Sequence, residues 1–441
     1  MICFQTYFDL FSQYHYIYNR CCHGKNYHDL IKRDITIKAL LHIHGKLMTN
    51  KKKFISPGNI EGKLERKENL FLALIRKYPG ISRQICAKKM GVSTFNISRL
   101  ASALIDKGIV TEGESNLAEN SCGRPSTPLF LNPEYQYFGG IDIEASQWRF
   151  VIIDFAGNLI HSWNSSFSEC DSRNDYIEQL TGLLQKAITA AGEKWIKVEA
   201  LGIGAPGFVD HETGIVENYE ILPEFKRIPL LDICSLASGK PSFITHNIFN
   251  LATHALWKKD GAEKQVIIHA AIRSGISVAF NINGNVYYGS KRHAGEIGLS
   301  MINGRILQET AGLSALKRLL PDVEAGFWHG DPRSINNAFR RRSVRNIINQ
   351  SMDDIALSLA NAAAFLDNDE IIVYSTLFLK ENIIWETLRK SFEKYREIQK
   401  LSPIKFTCGI DSEFFAAIGA ALYALDHQYL RTTSDVGIPK T

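Results

Sequence analysis

No stretch of this 441-residue chain stays apolar long enough to cross a bilayer, which excludes a helical membrane span. The N-terminus lacks the basic, then apolar, then small-residue order of a secretory signal. The eight cysteines include no CxxC pair, and no histidine stands near them at metal-ligand spacing. Neither a disulfide framework nor a zinc site is therefore implied. Free thiols in a reducing compartment are the default, and a cytoplasmic location is expected. No short-period repeat appears either, so solenoids and fibrous folds drop out.

What is present is ordinary for a globular protein of two or three domains: 45% apolar and 22% charged residues. The net charge of +5 conceals an asymmetry. Residues 48–133 carry 14 Lys and Arg against 7 Asp and Glu, whereas residues 134–441 carry 31 against 36. A basic module on a mildly acidic body is the electrostatic footprint of a DNA reader joined to a ligand-sensing domain. Residues 1–47 stand apart, crowded with Tyr, His, Phe and Cys and without a period. They read either as an untranslated stretch ahead of a start at Met48 or as an extension peculiar to this chain.

The run Ile81–Gly108, ISRQICAKKMGVSTFNISRLASALIDKG, reads as two helices meeting at a sharp turn. Ser82 is placed to cap the first, whose expected apolar face is Ile85, Cys86 and Met90. Gly91 stands where the turn needs a left-handed residue, and Ser93 is placed to cap the second helix. Ile97, Leu100, Leu104 and Ile105 form that helix's buried stripe, which leaves Thr94, Phe95, Asn96, Ser98 and Arg99 facing outward. Short polar and basic side chains at the start of such a helix suit the base edges of a major groove. Arg83, Lys88 and Lys89 suit phosphates instead. A preceding helix is expected over about Lys67–Lys77, with Leu70, Phe71, Leu74 and Ile75 inward and Pro79-Gly80 as its stop. Residues 108–112 and 128–132 read as two strands joined by a polar loop holding Arg124, which is placed to enter a minor groove. The whole reads as a winged helix-turn-helix over 48–134 that binds a double-stranded DNA operator.

From Tyr137 the pattern becomes strand, turn, strand, then a helix over about Arg173–Ala191 and an apolar strand Val198–Ala205 running into Pro206-Gly207. A second such unit begins at Val266 and includes an Asn283-Gly284 turn, a long helix to Leu366 and a strand Glu370–Tyr374. The expected fold class is α/β, with a two-lobed body over 135–441 split near residue 247 and its last helix returning to the first lobe.

Five motifs stand in order: SCGRPSTPLFLNP, GIGAPGFVDHETGIVEN (Gly202–Asn218), HNIFNLATHALW (His246–Trp257), SGISVAFNINGNVYYGSKRHAGEIG (Ser274–Gly298) and AAIGAALYAL (Ala416–Leu425). Together they resemble the ROK family (repressors, open reading frames and sugar kinases), over Lys67 to about Tyr429. The resemblance implies an actin-like, ribonuclease-H-like ATPase fold. It also implies effector contacts at Gly207, Asn247, Glu296 and Glu309, and a homo-oligomer, dimer or tetramer. The departures from family kinases bear on activity. Glu144, Ala145 and Ser146 follow Asp142 where those kinases keep bare glycines for ATP phosphates. Arg273 replaces a glycine of the second phosphate loop, and Tyr374-Ser375-Thr376 replaces a glycine run. Ile248 holds the catalytic aspartate's place, and Leu299 that of a zinc-binding histidine. The expectation is therefore no catalytic residue, no zinc and no ATP or other cofactor. It is a repressor of carbohydrate-related genes that answers to a sugar or sugar phosphate, without membrane attachment. The competing expectations are an ATP-dependent sugar kinase with a DNA-binding appendage, and an assembly module built on the actin-like body.

Overall fold

The computed structural model describes residues 66–114, 127–144, 147–168, 170, 172–211, 213–218, 227–257, 265–377, 382–409 and 413–429. The N-terminal extension and Arg124 lie outside the described residues. The first element is α1 (Arg66–Lys77), ended by Pro79 and Gly80. A two-residue strand β1 (Ile81–Ser82) leads directly into α2 (Arg83–Met90), and α3 (Thr94–Asp106) follows. The Ser82 hydroxyl accepts the Ile85 N–H and the Ser93 hydroxyl accepts the Asn96 N–H, each at 3.3 Å, so both expected caps form. Gly91 adopts φ 66° and turns the chain between the helices, a backbone conformation that disfavours any side chain. Strands β2 (Val110–Glu112) and β3 (Pro128–Leu131) complete an antiparallel sheet in the order β1-β3-β2.

Two inward assignments are corrected. Ile85 is 49% exposed and Leu70 50% exposed; Ala87 and Leu72 fill the core instead, beside Cys86, which is buried as expected. Because α2 starts immediately after β1, its phase is set by the sheet. Cys86 and Ala87 then meet Ile97, Ala101 and Leu104, and Ile85 turns out.

The body begins with β4 (Tyr137–Ile143), β5 (Gln147–Ile153) and β6 (Leu159–Ser166), an antiparallel meander. After α4 (Arg173–Ala191), β7 (Val198–Ala205) returns parallel to β4. A small hairpin, β8 (Phe208–Asp210) and β9 (Ile215–Asn218), and α5 (Leu230–Ser238) precede β10 (Ser242–His246), which adds parallel to β7. The sheet order is β10-β7-β4-β5-β6. Alternate residues point to opposite faces, as a pleated strand requires. Ile141, Ile143, Phe150 and Ile152 pack with α4 and α5, whereas Phe138, Val151 and Ile153 face the other way.

After α6 (Asn247–Trp257), the second lobe repeats the scheme. Strands β11 (Val266–Ile272), β12 (Ile276–Ile282) and β13 (Asn285–Tyr287) form the meander. A short hairpin β14 (Met301–Ile302) and β15 (Arg305–Ile306) follows. Then come α7 (Leu307–Ala311), α8 (Leu313–Leu319), α9 (Ala325–Trp328), α10 (Pro332–Phe339) and α11 (Arg342–Leu366). β16 (Glu370–Tyr374), α12 (Ile383–Ile398) and β17 (Lys405–Cys408) close a sheet ordered β13-β12-β11-β16-β17. The last element, α13 (Phe415–Tyr429), returns to the first lobe, where Ala417, Ala421 and Leu425 join Phe138 and Val151 in one apolar cluster. The two lobes therefore share one strand scheme, and strand ends from both converge on a cleft.

Candidate functional site

Every effector residue expected from the sequence, Gly207, Asn247, Glu296 and Glu309, lines a single cleft of about 550 Å³. Four separate elements deliver them. Gly207 follows β7, Asn247 opens α6, Glu296 precedes the 3-10 turn Ile297–Leu299, and Glu309 sits in the first turn of α7. The Asn247 amide donates to the Ile143 carbonyl at 2.7 Å, tying the start of α6 to the end of β4. Arg318 donates to the Glu309 carbonyl at 3.3 Å and shares the cleft wall.

The cleft also holds a residue that sequence reasoning passed over. His246, the last residue of β10, lies within it. Its Nδ1 accepts the Ile248 backbone N–H at 3.2 Å, which puts the ring proton on Nε2. That nitrogen is 3.8 Å from a Glu296 carboxylate oxygen. Burial, together with His211 and His293 nearby, pushes His246 down to about 4, so the imidazole is neutral at pH 7. His211 is also pushed down to about 4, by burial and then by Arg292. The cleft thus presents a neutral N–H donor beside an anionic acceptor.

The opposite end of the cleft is occupied by charge. Register places Arg149 on β5 directly across from Asp142 on β4. Its guanidinium donates to Asp142 at 3.1 Å and lies 3.6 Å from Glu144. Arg273, at the end of β11, pairs with Glu144 across the cleft and lies 3.6 Å from Asp142. The side chains are nearly sealed from solvent, at 0% exposure for Asp142, 12% for Arg149, 16% for Arg273 and 18% for Glu144. Burial pushes the Glu144 carboxyl up, but Arg273 and Arg149 together pull it further down, below the ordinary carboxylate range. Two carboxylates and two guanidiniums balance, and the pair Glu144–Arg273 clasps one lobe to the other.

The two apolar replacements sit apart from this chemistry. Ile248 is 3% exposed and packs with Phe249, Leu251, Ala271 and Tyr374 rather than lining the cleft. Leu299 closes the 3-10 turn after Glu296, at a partly exposed position. Residues 303–307 form the tip and second strand of the β14–β15 hairpin and the start of α7. Among the described residues, no group of three or more His, Cys, Asp or Glu side chains is placed to hold a metal ion.

In the N-terminal module, Thr94, Asn96 and Arg99 are exposed, Phe95 is 74% exposed, and Ser98 is half-buried. Ser93 is the cap, its hydroxyl engaged with Asn96 N–H. Lys88 and Lys89 are both exposed, and the Lys89 ammonium lies over the Tyr78 ring at 4.4 Å. Arg83 pairs with Glu112 of β2, which ties α2 to the small sheet.

A profile of the ROK family matches residues 138–427. The xylose repressor of Caldicellulosiruptor bescii is 22% identical over 333 residues, spanning 70% of this chain and 83% of the repressor. Among solved structures, a ROK family transcriptional regulator described as a homologue of the E. coli MLC protein superposes with a TM-score of 0.66 at 18% identity. It covers 83% of this chain and 98% of its own. A ROK family glucokinase from Streptomyces griseus, solved with glucose and AMPPNP, superposes at 0.53 and 18% identity over 65% of this chain and 99% of its own. No helix among the described residues is long and apolar enough to cross a membrane. With the matched profile spanning both lobes and the cleft between them, the chain belongs to the ROK family.

Proposed function

We propose that the chain is a sequence-specific DNA-binding repressor of carbohydrate-related genes, whose ROK cleft binds a sugar-like effector and carries out no phosphoryl transfer. The three helices and three-stranded sheet of residues 66–131 are read as a winged helix-turn-helix, with α3 as the recognition helix. The observation that carries this reading is the bare N-terminal face of α3, where Thr94, Phe95, Asn96 and Arg99 stand free of the module's core. The likeness to a xylose repressor and to a regulator homologous to the E. coli MLC protein supports it. So does coverage, since the solved regulator matches 83% of the chain and the glucokinase 65%. Operator binding as a homo-dimer or tetramer belongs to the same proposal.

The cleft fits a neutral polyol at one end and rejects a polyphosphate at the other. A hydroxyl can accept from His246 Nε2–H, and its neighbour on the ring can donate to Glu296. Where family kinases bring bare backbone to ATP phosphates, this chain sets the Glu144 carboxylate against the cleft and engages Arg273 with it. The residues present do not fit a nucleotide triphosphate. Ile248 has no atom that accepts a proton, and loss of a general base typically costs about 10²–10⁴ in rate.

The kinase reading retains one argument, the glucokinase likeness of the body. A coupled assay with purified chain, Mg-ATP and a panel of hexoses, pentoses and amino sugars separates the two. The proposal expects no turnover, together with a gel shift of the DNA upstream of the chain's own gene. Sugar-dependent ATP consumption that an Asp142→Asn change abolishes would overturn it.

A further inference from the structure

We infer that α6 and α13 act together as a strut joining the effector cleft to the DNA reader, and that Arg76 is the residue through which the reader registers it. The inference rests on the DNA-reading function proposed above.

The strut starts in the cleft. Asn247, the first residue of α6, lines it, and Trp257, the last, lies at the far end of a helix about 16 Å long. There the Arg76 guanidinium of α1 lies over the Trp257 ring, 4.1 Å from its centre. The same guanidinium pairs with Asp426 near the end of α13. One side chain of the N-terminal module thus touches both helices of the strut, so it responds to any shift of one against the other.

The two helices meet without cushioning. A Cβ built on Gly419 of α13 would lie 1.8 Å from the Asn250 carbonyl oxygen of α6, so the backbones themselves are in contact. On its other side α13 touches the first sheet in the same manner. A Cβ on Gly140 or Gly202 would come within 2.0 and 1.8 Å of the Ala417 and Ala420 carbonyl oxygens. Contacts of this kind pass on a displacement rather than absorb it in side-chain rotation. The module cannot drift off the strut either. Phe71, Leu72 and Ile75 of α1 belong to the same apolar cluster as Ala417, Leu422 and Leu425 of α13 and as Ile97 and Leu104 of α3. A movement of Asn247 on ligand entry therefore has a continuous packed route to α1 and from there to the exposed face of α3. Arg76 is a positioning residue on this route and contacts neither ligand nor DNA.

The test is a double-mutant cycle read on DNA affinity, which needs no identified effector. Full-length chain selects duplexes from a random-sequence pool, and fluorescence anisotropy gives affinities for wild type, Asn247→Ala, Arg76→Met and the double variant. The expected result is that Asn247→Ala changes affinity at least about fivefold in the wild-type background, the low end of typical allosteric coupling. With Arg76→Met present, the same change should be less than about twofold. An equal effect in both backgrounds, or less than a twofold effect in wild type, overturns the strut. Failure of the selection to enrich any sequence refutes DNA reading itself, which is a different outcome. If Arg76→Met melts early, Trp257→Leu, which leaves the Asp426 pair intact, takes its place with the same expectation.

Discussion

Replacing Arg273 by alanine tests whether the charge cluster at the end of the cleft is an integrated unit. The change removes the partner of Glu144 and one neighbour of Asp142, and it leaves two nearly sealed carboxylates facing Arg149 alone. Breaking a buried pair by deleting one member costs about 3–5 kcal/mol, because the remaining charge is neither paired nor solvated. Arg149 still stands 3.1 Å from Asp142, so the lower end applies, roughly 3 kcal/mol. Calorimetry of the purified chain should show the body's transition lowered by about 5 °C, at roughly 1.6 °C per kcal/mol for a body of about 300 residues. The double variant Glu144→Ala/Arg273→Ala restores the balance of one carboxylate against one guanidinium. It should melt above Arg273→Ala, with a coupling energy of about 1–3 kcal/mol. If Arg273→Ala melts with the wild type, or if the double variant loses the sum of the two single losses, the cluster is not the clasp described.

Other outcomes follow from the same geometry. His211 and His246 sit near 4 in the folded chain against an ordinary 6.5, so the unfolded chain takes up their protons first as pH falls. Stability should therefore fall between about pH 6.5 and 4, by roughly 3 kcal/mol for one histidine and by less than twice that for the coupled pair. Urea midpoints across that range should flatten in His246→Phe; an unchanged slope contradicts the burial argument. The Glu144 carboxyl is held low, so its contribution is full above its ordinary range and is lost only as pH falls through its folded value, at a more acid pH than the histidine window opens. Arg99→Ala should weaken binding to a selected duplex by about 1–3 kcal/mol and leave unrelated DNA unaffected; equal losses on both make it a phosphate contact. Lys88→Ala should weaken both alike and reduce the salt dependence by about one phosphate contact. Ser93→Ala removes the α3 cap and should cost about 1 kcal/mol of module stability in thermal melts.

Local chemistry was the legible part of the sequence. Ser82, Gly91 and Ser93 announce their caps and turn because hydroxyl capping and left-handed backbone depend on immediate neighbours. The convergence of Gly207, Asn247, Glu296 and Glu309 on one cleft was readable only through the ordered family motifs, since no local rule brings four distant segments together. Glu144 and Arg273 stood out singly as departures from the kinase pattern, yet nothing in a linear reading pairs residues on different sheets. Arg149 was hidden for a related reason, because its role follows from the β4–β5 register and not from any motif. His246 lay inside a quoted motif, but its value as a donor depends on a backbone N–H two residues on. The short helices α7–α10 went unread because runs of four to eight residues show little periodicity. Ile85 was misplaced because β1 sets the phase of α2, and a two-residue strand leaves no pattern of its own.

The central claim is that a body built on a kinase plan serves here as the sensor of an attached DNA reader. Its most direct test is the affinity of full-length chain for a selected duplex and for a scrambled duplex of the same composition, both at 150 mM salt. The account predicts a preference of at least about 10³-fold for the selected sequence, cut by roughly 5- to 150-fold on Arg99→Ala. Equal affinities of the unchanged chain for the two duplexes would contradict it.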